Sequence, residues 1–177
     1  SWGDPEISAA SPASIEGLVF ALGEDIDPSG GSDSTRGLQR LLDEAQRTGG
    51  TLVLPAGIFR VSSLVTKEEF IQPSITGVGS RGTVLAGSGA APVIVLTGGS
   101  GQLSGARISD LTITGDAAVG IEFRGVGGVT VERVRFMALA TGVLFHNASS
   151  RSFTEFDVVT SSTFEDSVGL PIEYRRG

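Results

Sequence analysis

The chain has 177 residues, enough for one domain with a real core, and with 40% hydrophobic and 19% charged residues it lacks the composition of a disordered segment. A net charge of −7 repels phosphate backbones and anionic lipid, so neither nucleic acid nor membrane insertion is expected, and no apolar run reaches the roughly 18 residues of a membrane span. Cysteine is absent, which excludes disulfide staples and Cys-ligated metal, while 26 glycines scattered among short apolar runs, about twice the usual ~7% share, mark many turns.

Residues 1–17 are small, polar and Pro-containing and read as an arm or linker, with Trp2 as its one anchor. They carry neither Met nor a signal-like apolar stretch, which points to a processed or cut N-terminus. Leu18 to Leu22 is a short apolar run and a first strand. In the next loop, DIDPSGGSDSTR, Asp25, Asp27, Ser29 and Gly30 fall at positions 1, 3, 5 and 6 of a calcium loop. Arg36 stands where the bidentate acid belongs, so no metal site is expected and the loop is read as the run-in to a helix.

That helix spans residues 34–47, with Asp33 or Ser34 as N-cap and Gly49-Gly50 as the stop. Leu38, Leu41, Leu42 and Ala45 make one apolar stripe. Gly37 costs it about 1 kcal/mol relative to Ala, so the helix depends on docking. In GGTLVLPAGIFRV (49–61), Leu52 and Leu54 share a face, Pro55 stops the ladder, and Phe59 and Val61 share a face again. This is strand, corner, strand, with Gly57 free to take φ > 0.

Beyond residue 50 only short β-type runs follow, separated by glycine. Glycine-rich TGVGSRG lacks both the Lys and the following helix of a phosphate loop and is read as corner residues. An antiparallel sandwich would call for Asn-Gly or Asp-Gly hairpin turns, and neither dipeptide occurs. A fixed period does occur. Ile108-x-x-Leu111-x-Ile113 recurs 23 residues on as Val131-x-x-Val134-x-Phe136 and 28 residues later as Val159-x-x-Ser162-x-Phe164. The following strands repeat too, as Gly120 to Phe123, Gly142 to Phe145 and Pro171 to Tyr174, and the longer second interval places a budding loop at Ala148 to Thr154. A period of 22–23 residues with short strands is one turn of a parallel β-helix. The predicted side-chain columns are Ile108/Val131/Val159, Ile113/Phe136/Phe164 and Phe123/Phe145/Tyr174, and the leucine-striped helix would cap the open first rung.

SDSTRGLQRLLDEA (32–45) followed by GGTLVLPAGIFRV resembles the N-terminal part of the pectate-lyase-like (pectin lyase fold) β-helix superfamily. The look is closest to phage tailspike and tail-associated proteins and to polygalacturonase-type enzymes. Asp33, Thr35, Gln39, Gly49, Gly50, Thr51, Leu52, Leu54, Pro55, Gly57 and Phe59 carry it; Gly37 departs from the small helix-former usual at its position. The resemblance implies an all-β, right-handed parallel β-helix with one N-terminal capping helix, often homotrimeric in the phage members and acting on cell-surface polysaccharide. The corresponding location is a virion or the extracellular surface. The division is then an arm (1–17), a first strand and capping helix (18–50), and rungs from 51 to 177 that continue, or are capped by another chain, beyond 177.

The fold hosts hydrolases, lyases and inert spikes, so chemistry must come from a site. The Asn-Thr-Asp, Asp-Asp, Gly-His-Gly and Arg-x-Lys elements of polygalacturonase-type enzymes are missing, and the lyases' carboxylates and base are not recognisable. No cofactor is expected. Glu122 and Glu173 hold equivalent outward positions with Leu144 between them. Two strand spacings separate their backbones by about 9.6 Å, beside the ~6.5–9.5 Å of inverting carboxylate pairs, although Leu144 is a poor floor for an activated water. Arg124, His146 and Arg175 form an outward column that suits an anionic sugar or is simply solvated. Asp110 and Arg133 are register equivalents at a bend and read as a structural pair. Three functions remain open. The first is an appendage that engages polysaccharide. The second is the N-terminal portion of a polysaccharide hydrolase or lyase with catalytic rungs beyond 177. The third is a surface spacer.

Overall fold

The computed structural model describes residues 17–69, 71–98, 103–147 and 154–176. Trp2 and nearly all of the 148–154 loop lie outside them. The described chain is mostly strand, with one helix. In order it forms β1 (Leu18–Phe20), β2 (Ser29–Asp33), α1 (Thr35–Thr48), β3 (Thr51–Val53), β4 (Gly57–Val61), β5 (Leu64–Val65), β6 (Ser74–Thr76), β7 (Thr83–Gly87) and β8 (Ile94–Thr97). Then follow β9 (Arg107–Gly115), β10 (Val119–Arg124), β11 (Thr130–Phe136), β12 (Leu139–Asn147), β13 (Val158–Thr160), β14 (Thr163–Phe164) and β15 (Val168–Arg176).

Every ladder among the described residues is parallel. One sheet runs β15-β12-β10-β8-β5. The other runs β1-β3-β6-β9-β7-β4-β2, with β11, β13 and β14 attached beyond β9. Long β9 explains this order: Ile108 and Ser109 pair with β6, whereas Thr112 to Gly115 pair with β7. The larger sheet therefore has two faces that meet at a bend in β9.

Corners set the faces apart. Leu54 to Ala56 carry the chain from β3 on one face to β4 on the next, with no return to the neighbouring strand, so Pro-Ala-Gly is a corner rather than a hairpin. Gly57 has φ 151°, and a Cβ there would lie 2.6 Å from the Pro28 carbonyl oxygen. The bend of β9 recurs one layer up in β11 and again between β13 and β14. Asp110 (φ 60°), Arg133 (φ 54°) and Ser161 (φ 50°) all sit in the left-handed region there. The Arg133 guanidinium clasps the Asp110 carboxylate through Nε–Oδ1 at 2.7 Å and Nη2–Oδ2 at 2.8 Å. Those bonds hold the Asp110 carboxyl below the ordinary Asp value.

Register equivalence turns the repeat into columns. Ile108 pairs with Val131 and Val131 with Val159; Ile113 pairs with Phe136 and Phe136 with Phe164. The Phe136 and Phe164 rings stack at 4.8 Å and 5°, and Phe123 and Phe145 at 5.1 Å and 20°. Such pairs add about 0.5–1.5 kcal/mol each to the burial of their area. Tyr174 continues the Phe123/Phe145 column in register, yet it is 58% exposed, because no described strand lies beyond β15.

At the other end, α1 lays Leu38, Leu42 and Ala45, all fully buried, over β1, β3 and β5. The structure adds two details to the sequence reading here. Ser34 is the N-cap by position, but its Oγ makes no cap bond and instead accepts the Asp27 N–H at 2.9 Å; Asp33 Oδ1 takes the Thr35 N–H at 2.8 Å. Gly37 is a packing residue as well as a weak helix former, since a Cβ would come 2.5 Å from the Asp25 carbonyl oxygen. In the run-in loop, Asp27 accepts from the backbone and hydroxyl of both Ser29 and Ser32. Its carboxylate is thus occupied by the loop itself, and its pKa is well below the usual range.

Candidate functional site

The five candidate side chains come together on the outer face of the smaller sheet, because the repeat places them at equal positions of β10, β12 and β15. Arg124 pairs with His146 and His146 with Arg175; Glu122 pairs with Leu144 and Leu144 with Glu173. One column is Arg, His, Arg; the other alternates acid, leucine, acid.

Glu122, on the outer face, is nonetheless only 5% exposed. A buried carboxylate needs partners, and it has three hydrogen bonds. Arg124, two residues on along the same strand face, donates Nε to Oε1 and Nη2 to Oε2, both at 2.9 Å. His146 Nδ1 lies 3.2 Å from Oε1, across the ladder. An ionised carboxylate only accepts, so His146 carries its proton on Nδ1 and turns Nε2 away from Glu122. Burial pushes the Glu122 carboxyl up, but the Arg124 and His146 bonds outweigh it and hold it below the ordinary Glu value.

The same motif recurs two strands further. Arg175 clasps Glu173 through Nε–Oε1 at 2.6 Å and Nη2–Oε2 at 3.2 Å, and Thr141 Oγ1 donates to Oε2 at 3.2 Å. These bonds also lower the Glu173 pKa. The sequence spacing Glu-x-Arg therefore encodes a clasp within one strand, as alternate residues share a face. Leu144 is 2% exposed and lies between the acids. Both carboxylates are ionised and forked by guanidinium; a general acid would need the opposite, a raised pKa and a free oxygen. What the arrangement offers chemically is hydrogen-bonding and charged atoms in a row: the outer edges of Arg124 and Arg175, and His146 Nε2 between them.

The sequence reading did not single out Asp157. It lies between β12 and β13, where its Oδ1 accepts the Val129 N–H at 2.8 Å while buried Oδ2 has no hydrogen-bond partner among the described residues. Burial pushes its carboxyl up to about 6. No local pattern marks it, because its one partner, the Val129 N–H, lies 28 residues away in the chain. Among the described residues, no group of three or more His, Cys, Asp or Glu side chains is placed to hold a metal ion.

No protein-family model matches the sequence, and no curated protein matches it either. Two solved structures do align with the fold. One is the catalytic unit of a thermostable GH87 alpha-1,3-glucanase from Streptomyces thermodiastaticus, at TM-score 0.58 and 21% identity over 92% of this chain and 33% of that one. The other is ORF18 of Geobacillus virus E2, at TM-score 0.54 and 18% identity over 90% of this chain and 40% of that one. The chain thus spans well under half the length of either. At these identities the likeness concerns the fold alone.

Proposed function

We propose that the chain is a right-handed parallel β-helix of the pectin lyase type, forming part of a phage tailspike or similar appendage that engages cell-surface polysaccharide without cleaving it within these residues. The observation that carries the reading is the double clasp: Glu122 and Glu173, the candidate acids, are both committed as ionised partners of Arg124 and Arg175. Arg124, His146 and Arg175 are then substrate-binding groups along successive layers: the two guanidinium groups present N–H donors to sugar oxygens, and His146 presents Nε2 as an acceptor to a sugar hydroxyl. A fold shared with a phage protein and with a glucanase supports this setting. The reading places the protein on a virion or an extracellular surface, as a homotrimer.

A second reading has one observation in its favour. The chain covers 33% of a glucanase catalytic unit, so it suits the N-terminal portion of a longer hydrolase or lyase whose catalytic layers lie elsewhere. Co-sedimentation with bacterial capsular polysaccharides and pectins, run beside a reducing-end assay, separates the two. Binding without release of reducing ends is the expected result. Cleavage by the 177-residue chain, abolished by E122Q or E173Q, would overturn the binding reading and restore the carboxylate pair as the catalytic one. Failure to bind any of these polymers would leave the spacer reading.

A further inference from the structure

On a different corner of the molecule lies a groove of about 540 Å³, lined by Ser80, Arg81, Arg133, Arg135, Thr163 and Glu165 among others. Its volume falls inside the ~300–1,000 Å³ range of small-molecule sites. The way it is built follows from the layers. In β11 and the β13–β14 segment above it, the corner is tight, with Arg133 and Ser161 at positive φ. One layer below β9, the same corner instead opens into the loop from Gly77 to Gly82, between β6 and β7. That loop is tied down: Thr112 Oγ1 on β9 donates to the Ser80 carbonyl at 2.6 Å, and the Gly79 N–H donates to the Asp110 carbonyl at 2.8 Å. It stands as a fixed wall beside a floor of outward side chains from β11 and β14.

The charges in the groove are unequal in availability. Arg133 is held by Asp110 and Glu132, and Arg135 by Glu165 through an Nε–Oε1 bond of 2.7 Å. Exposed Arg81 has no ion pair and no side-chain hydrogen bond among the described residues. The Thr163 hydroxyl is likewise without a hydrogen bond there. A guanidinium fork matches a planar carboxylate in two parallel bonds. Besides the arginines and Val134, the lining consists of Ser80, Ser161 and Thr163 and the Glu165 carboxylate, which suit sugar hydroxyls and disfavour a doubly charged phosphate. The −7 net charge disfavours densely charged polyanions in the same way.

We infer that this groove binds a carboxylate-bearing sugar unit of an acidic polysaccharide, with Arg81 taking the carboxylate and Thr163 and Glu165 the hydroxyls. The inference rests on the polysaccharide-binding reading and adds to it a second site and a sugar class. The test is calorimetric titration of the intact chain with tetragalacturonate and with its methyl-esterified, uncharged counterpart. The acid should bind at least about tenfold more tightly than the ester, since a charge-assisted fork is among the stronger single contacts. R81A should erase that preference, R81K should restore only part of it, and T163V should weaken both ligands several-fold. R36A, on α1 and outside both the groove and the Arg124/His146/Arg175 column, should leave the titration unchanged. Equal binding of acid and ester, or an R81A variant that keeps the preference, would overturn the inference. If neither tetrasaccharide binds while whole polysaccharides still co-sediment through Arg124, His146 and Arg175, this groove fails and the broader reading survives. If no polysaccharide binds at all, both fail.

Discussion

The Gln39 side chain pairs with Val65 as a neighbouring strand would: its Nε2 donates to the Val65 carbonyl at 2.8 Å and its Oε1 accepts the Val65 N–H at 2.9 Å. One helical turn pair further, Gln46 repeats the act, with Nε2 to the carbonyls of Lys67 (2.9 Å) and Ile71 (3.0 Å) and Oε1 from the Lys67 N–H at 2.8 Å. β5 is an edge strand, and an exposed parallel edge invites further pairing. The helix therefore caps twice over, with leucines for the apolar end and two glutamines for the backbone of the edge.

Replacing Gln46 by Leu keeps the volume but leaves the Lys67 N–H and two carbonyls without a partner. Gln46 is 1% exposed, so water replaces these bonds poorly. Unmade buried hydrogen bonds of this kind cost about 1–3 kcal/mol each before relaxation, and we expect Q46L to lose about 2–3 kcal/mol. Denaturant titration measures it. Q39L, whose amide is more exposed, should lose less; a Q46L variant as stable as wild type would refute the edge-capping role.

Gly37 separates propensity from packing. An exposed helical Gly→Ala change gains about 1 kcal/mol. Here the added methyl would meet the Asp25 carbonyl at 2.5 Å and Ile26 Cγ1 at 2.7 Å. G37A should therefore destabilise the protein by about 1–3 kcal/mol, the cost of overpacking. A gain in thermal stability would show that the 23–26 loop moves aside freely.

Asp157 gives the protein a pH dependence of unusual sign. Its folded pKa of about 6 lies above the 3.8 of the free side chain. The folded state thus holds the proton more tightly than the unfolded state does. Its contribution to stability is fully present below about pH 4, falls as pH rises, and is gone above about pH 6. The clasped carboxylates Asp110, Glu122 and Glu173 act oppositely, losing stability as pH falls through their lowered values. The informative quantity is the difference between wild type and D157N, whose amide cannot titrate. Between pH 4 and 7 the unfolding free energy of D157N should fall less than that of wild type. Parallel curves would place Asp157 in solvent.

Among the described residues β15 is the end strand of its sheet, and it carries Leu170 (51% exposed), Ile172 (49%) and Tyr174 (58%). We expect the 177-residue chain to self-associate with rising concentration, and I172K/Y174K to suppress this, because buried cations on such an edge block pairing. Sedimentation velocity reads it directly. A monomer at high concentration would count against both this expectation and a homotrimer formed by these residues.

Within the candidate site, the sequence made the columns visible but not the bonds. Arg124, His146 and Arg175 share a column because the period of the chain is the period of the layers, and the same arithmetic gives Phe136 its partner Phe164. The burial of Glu122 was not visible: period two assigns it to the outer face, and only the assembled sheet shows that this face is covered there.

By itself the sequence determined the register, since stacked layers bring equivalent positions into contact and their apolar pattern must repeat for the core to close. The tertiary structure alone decided which charges are spent and which are open. Glu122 is held by Arg124 and His146, while among the described residues Asp157 Oδ2 and the Arg81 guanidinium have no partner. Those outcomes depend on side-chain reach across layers and on where loops bud from corners, and no local spacing along the chain records either.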